Sequence, residues 1–188
     1  ELAQHREGDL IQVMFEDGEA LGDTFWTQPA LFAFHLALAE LMKSRGCQPD
    51  LVFGHSLGQY AAAVIAGMLD WKDGIRLIHE RARLTGSLPA GGAMAAVFSK
   101  AEEVDSFVAV HEGLSIAAHN GSHTVISGPG EKVDAAIADF EKEEIRCKRL
   151  DTSHAFHSSL LDPILDEFTA VADSITYHAA RIPLVCNV

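Results

Sequence analysis

The chain has 188 residues, 48% hydrophobic and 22% charged, the balance of a globular protein rather than a disordered one. Lys and Arg number 14 against 27 Asp and Glu, a net charge of −13, so no basic stripe exists for sequence-independent nucleic-acid binding. No apolar run approaches the ~20 residues of a membrane span, and no signal-peptide pattern opens the chain.

The chain starts at Glu1 inside what reads as a helix and stops at Val188 just after a strand-like Ile182-Pro183-Leu184-Val185. It therefore reads as a piece of something longer, truncated at both ends. From Pro29 to Arg45 the pattern is helical, with Leu31, Phe32, Leu36, Leu38, Leu41 and Met42 on an apolar face. Pro29 suits a first helical turn, and Lys43 and Arg45 suit a last one before Gly46. Leu51-Val52-Phe53 reads as a short buried strand, followed by Gly54-His55-Ser56-Leu57-Gly58 and an Ala-rich helix from Tyr60 to Gly67. Asp70 caps a further helix running to about Leu88. Helix, strand, glycine turn and helix together are the grammar of an α/β protein.

The middle third changes rhythm. Strands are expected at Ala93 to Phe98, Leu114 to Ala118, Thr124 to Ser127 and Arg146 to Leu150, with helices at Lys100 to His111 and Glu131 to Glu143. That order is βαββαβ, the ferredoxin-like plan. The expected organisation is a large α/β lobe over 1–91, a small ferredoxin-like subdomain over 92–151, and a return to the large lobe over 152–188. A helix from about Leu160 to Ser174 follows the return. Cys47, Cys147 and Cys186 are scattered and form neither a metal-ligand pair nor a disulfide framework, which fits a reducing cytoplasm.

The sharpest chemical signal is Gly54-His55-Ser56-Leu57-Gly58. Between a strand and a helix, GxSxG makes a tight turn that pushes the serine hydroxyl out at the strand's C-terminal end. The helix that follows offers free N–H groups, that of Leu57 above all, to a developing oxyanion. A nucleophilic serine needs a base. His55 is adjacent to it, but neighbours on a sharp turn point apart. His154 and His157 sit together in Ser153-His154-Ala155-Phe156-His157-Ser158, where the chain leaves the small subdomain, and pattern alone does not choose between them. Arg76, Arg81 and Arg83 share the helix after the serine helix. A buried guanidinium among them would bind a carboxylate through two parallel hydrogen bonds, whereas most arginines on such a face are simply solvated.

These blocks together resemble the malonyl-CoA:acyl-carrier-protein acyltransferases, particularly the acyltransferase domains of modular, type I polyketide synthases. The resemblance rests on Trp26-Thr27-Gln28-Pro29-Ala30, GHSxG at Gly54 to Gly58, Arg-x-Arg-Leu at Arg81 to Leu84, and His-Ala-Phe-His at His154 to His157. It runs along essentially the whole chain in order and spacing. It implies that Ser56 is the acylated nucleophile, His157 the general base and Arg81 the clamp for the free carboxylate of the extender unit. Gln28 would line the pocket together with His55, the Leu57 N–H would form half of the oxyanion hole, and Asn120 falls near a family asparagine close to the pocket. No metal or bound cofactor is implied. Malonyl-CoA is the substrate, an acyl carrier protein the partner, and a ketosynthase a neighbouring domain.

The implied reaction is a ping-pong exchange through an acyl-serine. In this family His-Ala-Phe-His accompanies malonyl selection, Phe156 filling the space a methyl would need, a preference worth about 1–3 kcal/mol. Two features depart from the family pattern. Gln59 stands where Glu usually follows GHSxG, which predicts tuning rather than loss. The N-terminal Gly-Gln-Gly strand, whose glutamine supplies the other oxyanion N–H, and the C-terminal stretch that completes the sheet are absent. Two other classes compete. A serine hydrolase or thioesterase of the α/β-hydrolase class also uses GHSxG, but needs the order Ser, acid, His. A degenerate, non-catalytic docking domain would fit the truncation and Gln59, against the joint presence of Ser56, Arg81 and His157.

Overall fold

The structure is a computed structural model that describes residues 9–152 and 154–186. The helix expected at Glu1 and the side chain of Ser153 lie outside the described residues. The fold is mixed α/β, with one parallel and one antiparallel sheet. It divides into two compact units, the first of residues 1–86 with 166–188 and the second of 87–165.

In the first unit a short helix α1 (Leu10–Glu16), capped by the Asp9 carboxylate, precedes a 3-10 turn over Ala20–Gly22 and the long helix α2 (Thr24–Ser44). Helix α2 starts five residues earlier than Pro29, because the Asp23 carboxylate accepts from Phe25 N at 2.8 Å and caps it there. Pro29 thus sits inside the helix. The expected apolar face is also divided: Phe32 and Leu36 pack inward, while Leu31, Leu38, Leu41 and Met42 are exposed. Strand β1 (Val52–Phe53) pairs in parallel with β6 (Leu184–Val185), which is its sole pairing among the described residues. Successive side chains of a strand face opposite ways, and Val52 is buried while Leu51 and Phe53 are exposed, unlike the fully buried strand expected.

Helices α3 (Gly58–Ile65) and α4 (Trp71–Gly86) complete this unit's core with α7 (Asp162–Asp173), whose later turns belong to it. Phe32, Ala61 and Ile78 join α2, α3 and α4, and Leu69, Leu77 and Ile175 collect Phe168 and Val171 of α7. The chain after α7 is strapped to the end of α3: His178 N donates to Met68 O and Arg181 N to Ala66 O, at 2.9 and 2.8 Å.

The second unit runs β2 (Gly92–Val97), α5 (Ala101–Ala109), β3 (Ser115–His119), β4 (Thr124–Pro129), α6 (Gly130–Lys142) and β5 (Cys147–Arg149). Its sheet has the order β3-β4-β2-β5 with every pair antiparallel. Alternation along β2 and β4 sends Ala93, Ala95, Val97 and Ile126 toward Val104 of α5 and Val133, Ala136 and Phe140 of α6. This cluster is the unit's core. Residues 154–165 group here as well. A Cβ on Gly92 would lie 2.5 Å from Ala155 N, so the loop after β5 leans on the start of β2.

Burial sets the expected stability effects. Phe140→Ala, in a site 4% exposed, lowers unfolding stability by about 3–5 kcal/mol in a denaturant titration. Phe15→Ala, at a position 79% exposed, changes it by no more than about 0.5 kcal/mol.

Candidate functional site

The turn between β1 and α3 is built on a backbone contact. A Cβ on Gly54 would lie 2.0 Å from the Gly58 carbonyl carbon and 2.3 Å from Gln59 N, so only glycine fits there. The chain must reverse within four residues, and Ser56 absorbs the reversal with a left-handed φ of 49°. A non-glycine residue held in that region costs about 1–3 kcal/mol, which the surrounding bonds must offset. Gly58 N donates to His55 O at 2.9 Å, Gln59 N to Ser56 O at 3.0 Å and Tyr60 N to Leu57 O at 3.2 Å. The Leu57 N–H lies just before this series, at the opening of α3, while the Leu57 side chain packs with Phe32 and Ala61. His55 is exposed on the turn.

Gln59 ties the turn to the sheet. Its Oε1 accepts from Gly54 N at 3.2 Å and its Nε2 donates to Val185 O of β6 at 3.4 Å. An amide makes both bonds because it carries a donor and an acceptor, whereas an ionised carboxylate could make only the first.

Burial separates the three arginines of α4. Arg76 is exposed. Arg83 forms an ion-paired bridge with Glu80, at 2.8 Å from Nε, and with Glu167 of α7, and these hydrogen bonds raise its pKa. Arg81 is partly buried, and loss of water lowers its pKa, opposed by Tyr60. Arg81 Nη1 donates to Gln28 Oε1, and the guanidinium carbon lies 6.0 Å from the centre of the Tyr60 ring. Burial also raises the Tyr60 hydroxyl above its ordinary value, with Arg81 acting the other way. The structure thus brings Gln28 and Arg81 together, and adds Tyr60, in the first turn of α3. The sequence motifs leave Tyr60 out; the signal that could have found it is its place at the start of the helix that follows the serine turn.

In the second unit His157 has a left-handed φ of 58° and is exposed. Its loop is held by Ser158, whose buried hydroxyl donates to Ala155 O at 2.7 Å and accepts from Leu160 N at 3.3 Å. Phe156 is half-buried, with its ring 6.1 Å from that of His154. His154 lines a cavity of about 340 Å³ with Leu160, Leu161 and Pro163. Asn120 is exposed in the β3–β4 turn, its amide nitrogen 3.0 Å from His123 Nε2. Among the described residues, no group of three His, Cys, Asp or Glu side chains is placed to hold a metal ion, and no helix is long and apolar enough to cross a membrane.

Residues 4–187 match the family profile described as acyl transferase domain. The chain is 41% identical over 190 residues to the phenolphthiocerol synthesis polyketide synthase type I Pks15/1 of Mycobacterium marinum, covering 100% of this chain and 9% of that synthase. The acyltransferase domain from the second module of the salinomycin polyketide synthase superposes with a TM-score of 0.92 at 41% identity, over 96% of this chain and 44% of that one. An acyl carrier protein S-malonyltransferase from Vibrio cholerae superposes with a TM-score of 0.85 at 32% identity, over 96% of this chain and 62% of that one.

The glycines of the turn make opposite predictions. Gly54→Ala destabilises the chain by about 3 kcal/mol through overpacking against Gly58. Gly58→Ala, where an added Cβ meets nothing within 4 Å, is neutral or stabilising by up to about 1 kcal/mol. Thermal and urea unfolding of the two variants check both.

Proposed function

We infer, for a chain that belongs to the acyl transferase domain family, that it loads an extender unit from a CoA thioester onto an acyl carrier protein in polyketide biosynthesis. The extender is malonyl and the intermediate an ester on Ser56. The observation that carries this reading is the presentation of Ser56, held at a left-handed φ on a strand-to-helix turn that only Gly54 permits. A backbone strained in this way, at a serine that opens a helix, is the arrangement a nucleophile needs and a merely structural serine does not.

The steps follow from the residue types. Ser56 Oγ attacks the thioester carbonyl while His157 takes its proton. The Leu57 N–H donates to the oxyanion, a contribution of about 10²–10³ in rate for one such donor. The carbonyl re-forms, the C–S bond breaks, and His157 returns the proton to the departing CoA thiolate. The phosphopantetheine thiol of the carrier protein then attacks the acyl-serine by the same route in reverse order. Arg81 takes the free carboxylate of the extender, with Gln28 and His55 among the pocket residues. Phe156 limits room at the α-carbon, and Asn120 takes the part of the family asparagine.

Architecture is read in the same terms. The first unit corresponds to a hydrolase-like lobe and the βαββαβ unit to a ferredoxin-like insert over 92–151. The reaction needs no bound cofactor, and its setting is the cytoplasm, beside a ketosynthase in a multidomain synthase. The name of the Vibrio cholerae relative, an acyl carrier protein S-malonyltransferase, supports the malonyl reading.

Intact-protein mass spectrometry tests it. The chain, incubated briefly with malonyl-CoA, methylmalonyl-CoA and acetyl-CoA in competition, gains a malonyl adduct that Ser56→Ala abolishes. A methylmalonyl adduct would keep the mechanism and remove the role given to Phe156. Rapid hydrolysis of the adduct, with no transfer to a carrier protein, would favour a thioesterase. Absence of any adduct would favour a docking domain.

A further inference from the structure

Thr24 opens α2 four residues before Gln28, so the two share one face of the helix. Both are buried, each 4% exposed. Gln28 Nε2 donates to Thr24 Oγ1 at 2.7 Å, and Gln28 Oε1 accepts from Arg81 Nη1. The direction of this relay is dictated by chemistry. A guanidinium carries only donors, so the amide must turn its oxygen toward Arg81 and its nitrogen away. The buried nitrogen then needs an acceptor, and the Thr24 hydroxyl supplies it. From α3, Tyr60 faces the same guanidinium, with its ring centre 6.0 Å from Cζ.

We propose that Thr24 and Tyr60 are positioning residues that hold Arg81 in one orientation, and so set the preference for acyl groups bearing a free carboxylate over neutral ones. The inference rests on the role of Arg81 as the carboxylate clamp. Thr24, Gln28 and Tyr60 are all uncharged at neutral pH, so they fix the direction of the guanidinium without neutralising it. A carboxylate in place of either would occupy the fork that the substrate is to fill. Thr24→Val keeps the shape of residue 24 and removes its acceptor. The Gln28 amide is then left with a buried donor unpaired, or flips and presents that donor to the guanidinium. Either way Arg81 loses its fixed direction, while Ser56 and its turn are untouched. Tyr60→Phe removes the hydroxyl of this neighbour on another helix while keeping the ring.

The test is competitive loading of the full chain with malonyl-CoA and acetyl-CoA, with KM and kcat determined for each donor and melting temperatures recorded for every variant. Thr24→Val lowers the malonyl-over-acetyl preference about tenfold, through a raised KM for malonyl-CoA at nearly constant kcat. Thr24→Ser, which restores the acceptor, restores the preference. Tyr60→Phe lowers it several-fold. A malonyl preference that survives both Thr24→Val and Tyr60→Phe overturns the inference and leaves the acyltransferase reading standing. Equal losses with both donors overturn it in the same way, by showing a merely structural role. A wild-type chain that loads neither donor, or loads both alike, overturns the functional reading and this inference with it.

Discussion

The close approach of two backbones, Gly54 against Gly58, is the constraint from which the first unit's chemistry follows. It ends β1, starts α3 at once and goes with a left-handed φ of 49° at Ser56. Such a turn is stable only if both its arms are fixed. One arm is fixed by the parallel pairing of β1 with β6 and by Gln59, which bonds the turn and the β6 backbone together. The other is fixed at the far end of α3, where Arg181 and His178 donate to the carbonyls of Ala66 and Met68. Gln59 therefore has a structural use that a carboxylate would not serve in full.

Two arginines two residues apart show how burial divides labour on one helix. Arg83 meets Glu80 and Glu167 at the surface, where a pair of this kind contributes about 0–1 kcal/mol and fades with salt. Arg81 is drawn out of water toward Gln28 and Tyr60, neutral groups that orient it but leave its charge in place. Desolvating a guanidinium is unfavourable and cannot be relieved by deprotonation at neutral pH. That cost makes sense for a group whose proposed task is to receive a carboxylate from a ligand.

Local features were legible in the sequence where residue type and spacing act alone. Gly54 and Gly58 flanking Ser56 announced the turn, Asp70 announced the start of α4, and the stretch from Ala93 to Phe98 read as the strand that is β2. The four blocks that identified the family are compositional in the same sense. What depends on partners distant in sequence was not legible. One local signal was passed over as well: the cap at Asp23 won over the proline signal at Pro29, so α2 begins with Thr24 and gains the residue that bonds Gln28. Exposure of Leu51 and Phe53 depends on what packs against their face of β1, which no local pattern encodes. The contact between Tyr60 and Arg81 joins two helices whose relative rotation no local pattern encodes. The close approach of Gly92 to Ala155 likewise joins residues far apart in the chain.

The most direct measurement is a crystal structure of the chain loaded from malonyl-CoA. The predicted result is an ester on Ser56 Oγ with the malonyl carboxylate in a two-point hydrogen bond to Arg81, whose guanidinium still rests on Gln28 and Tyr60. An ester on another side chain, or a carboxylate directed into solvent away from Arg81, would contradict it.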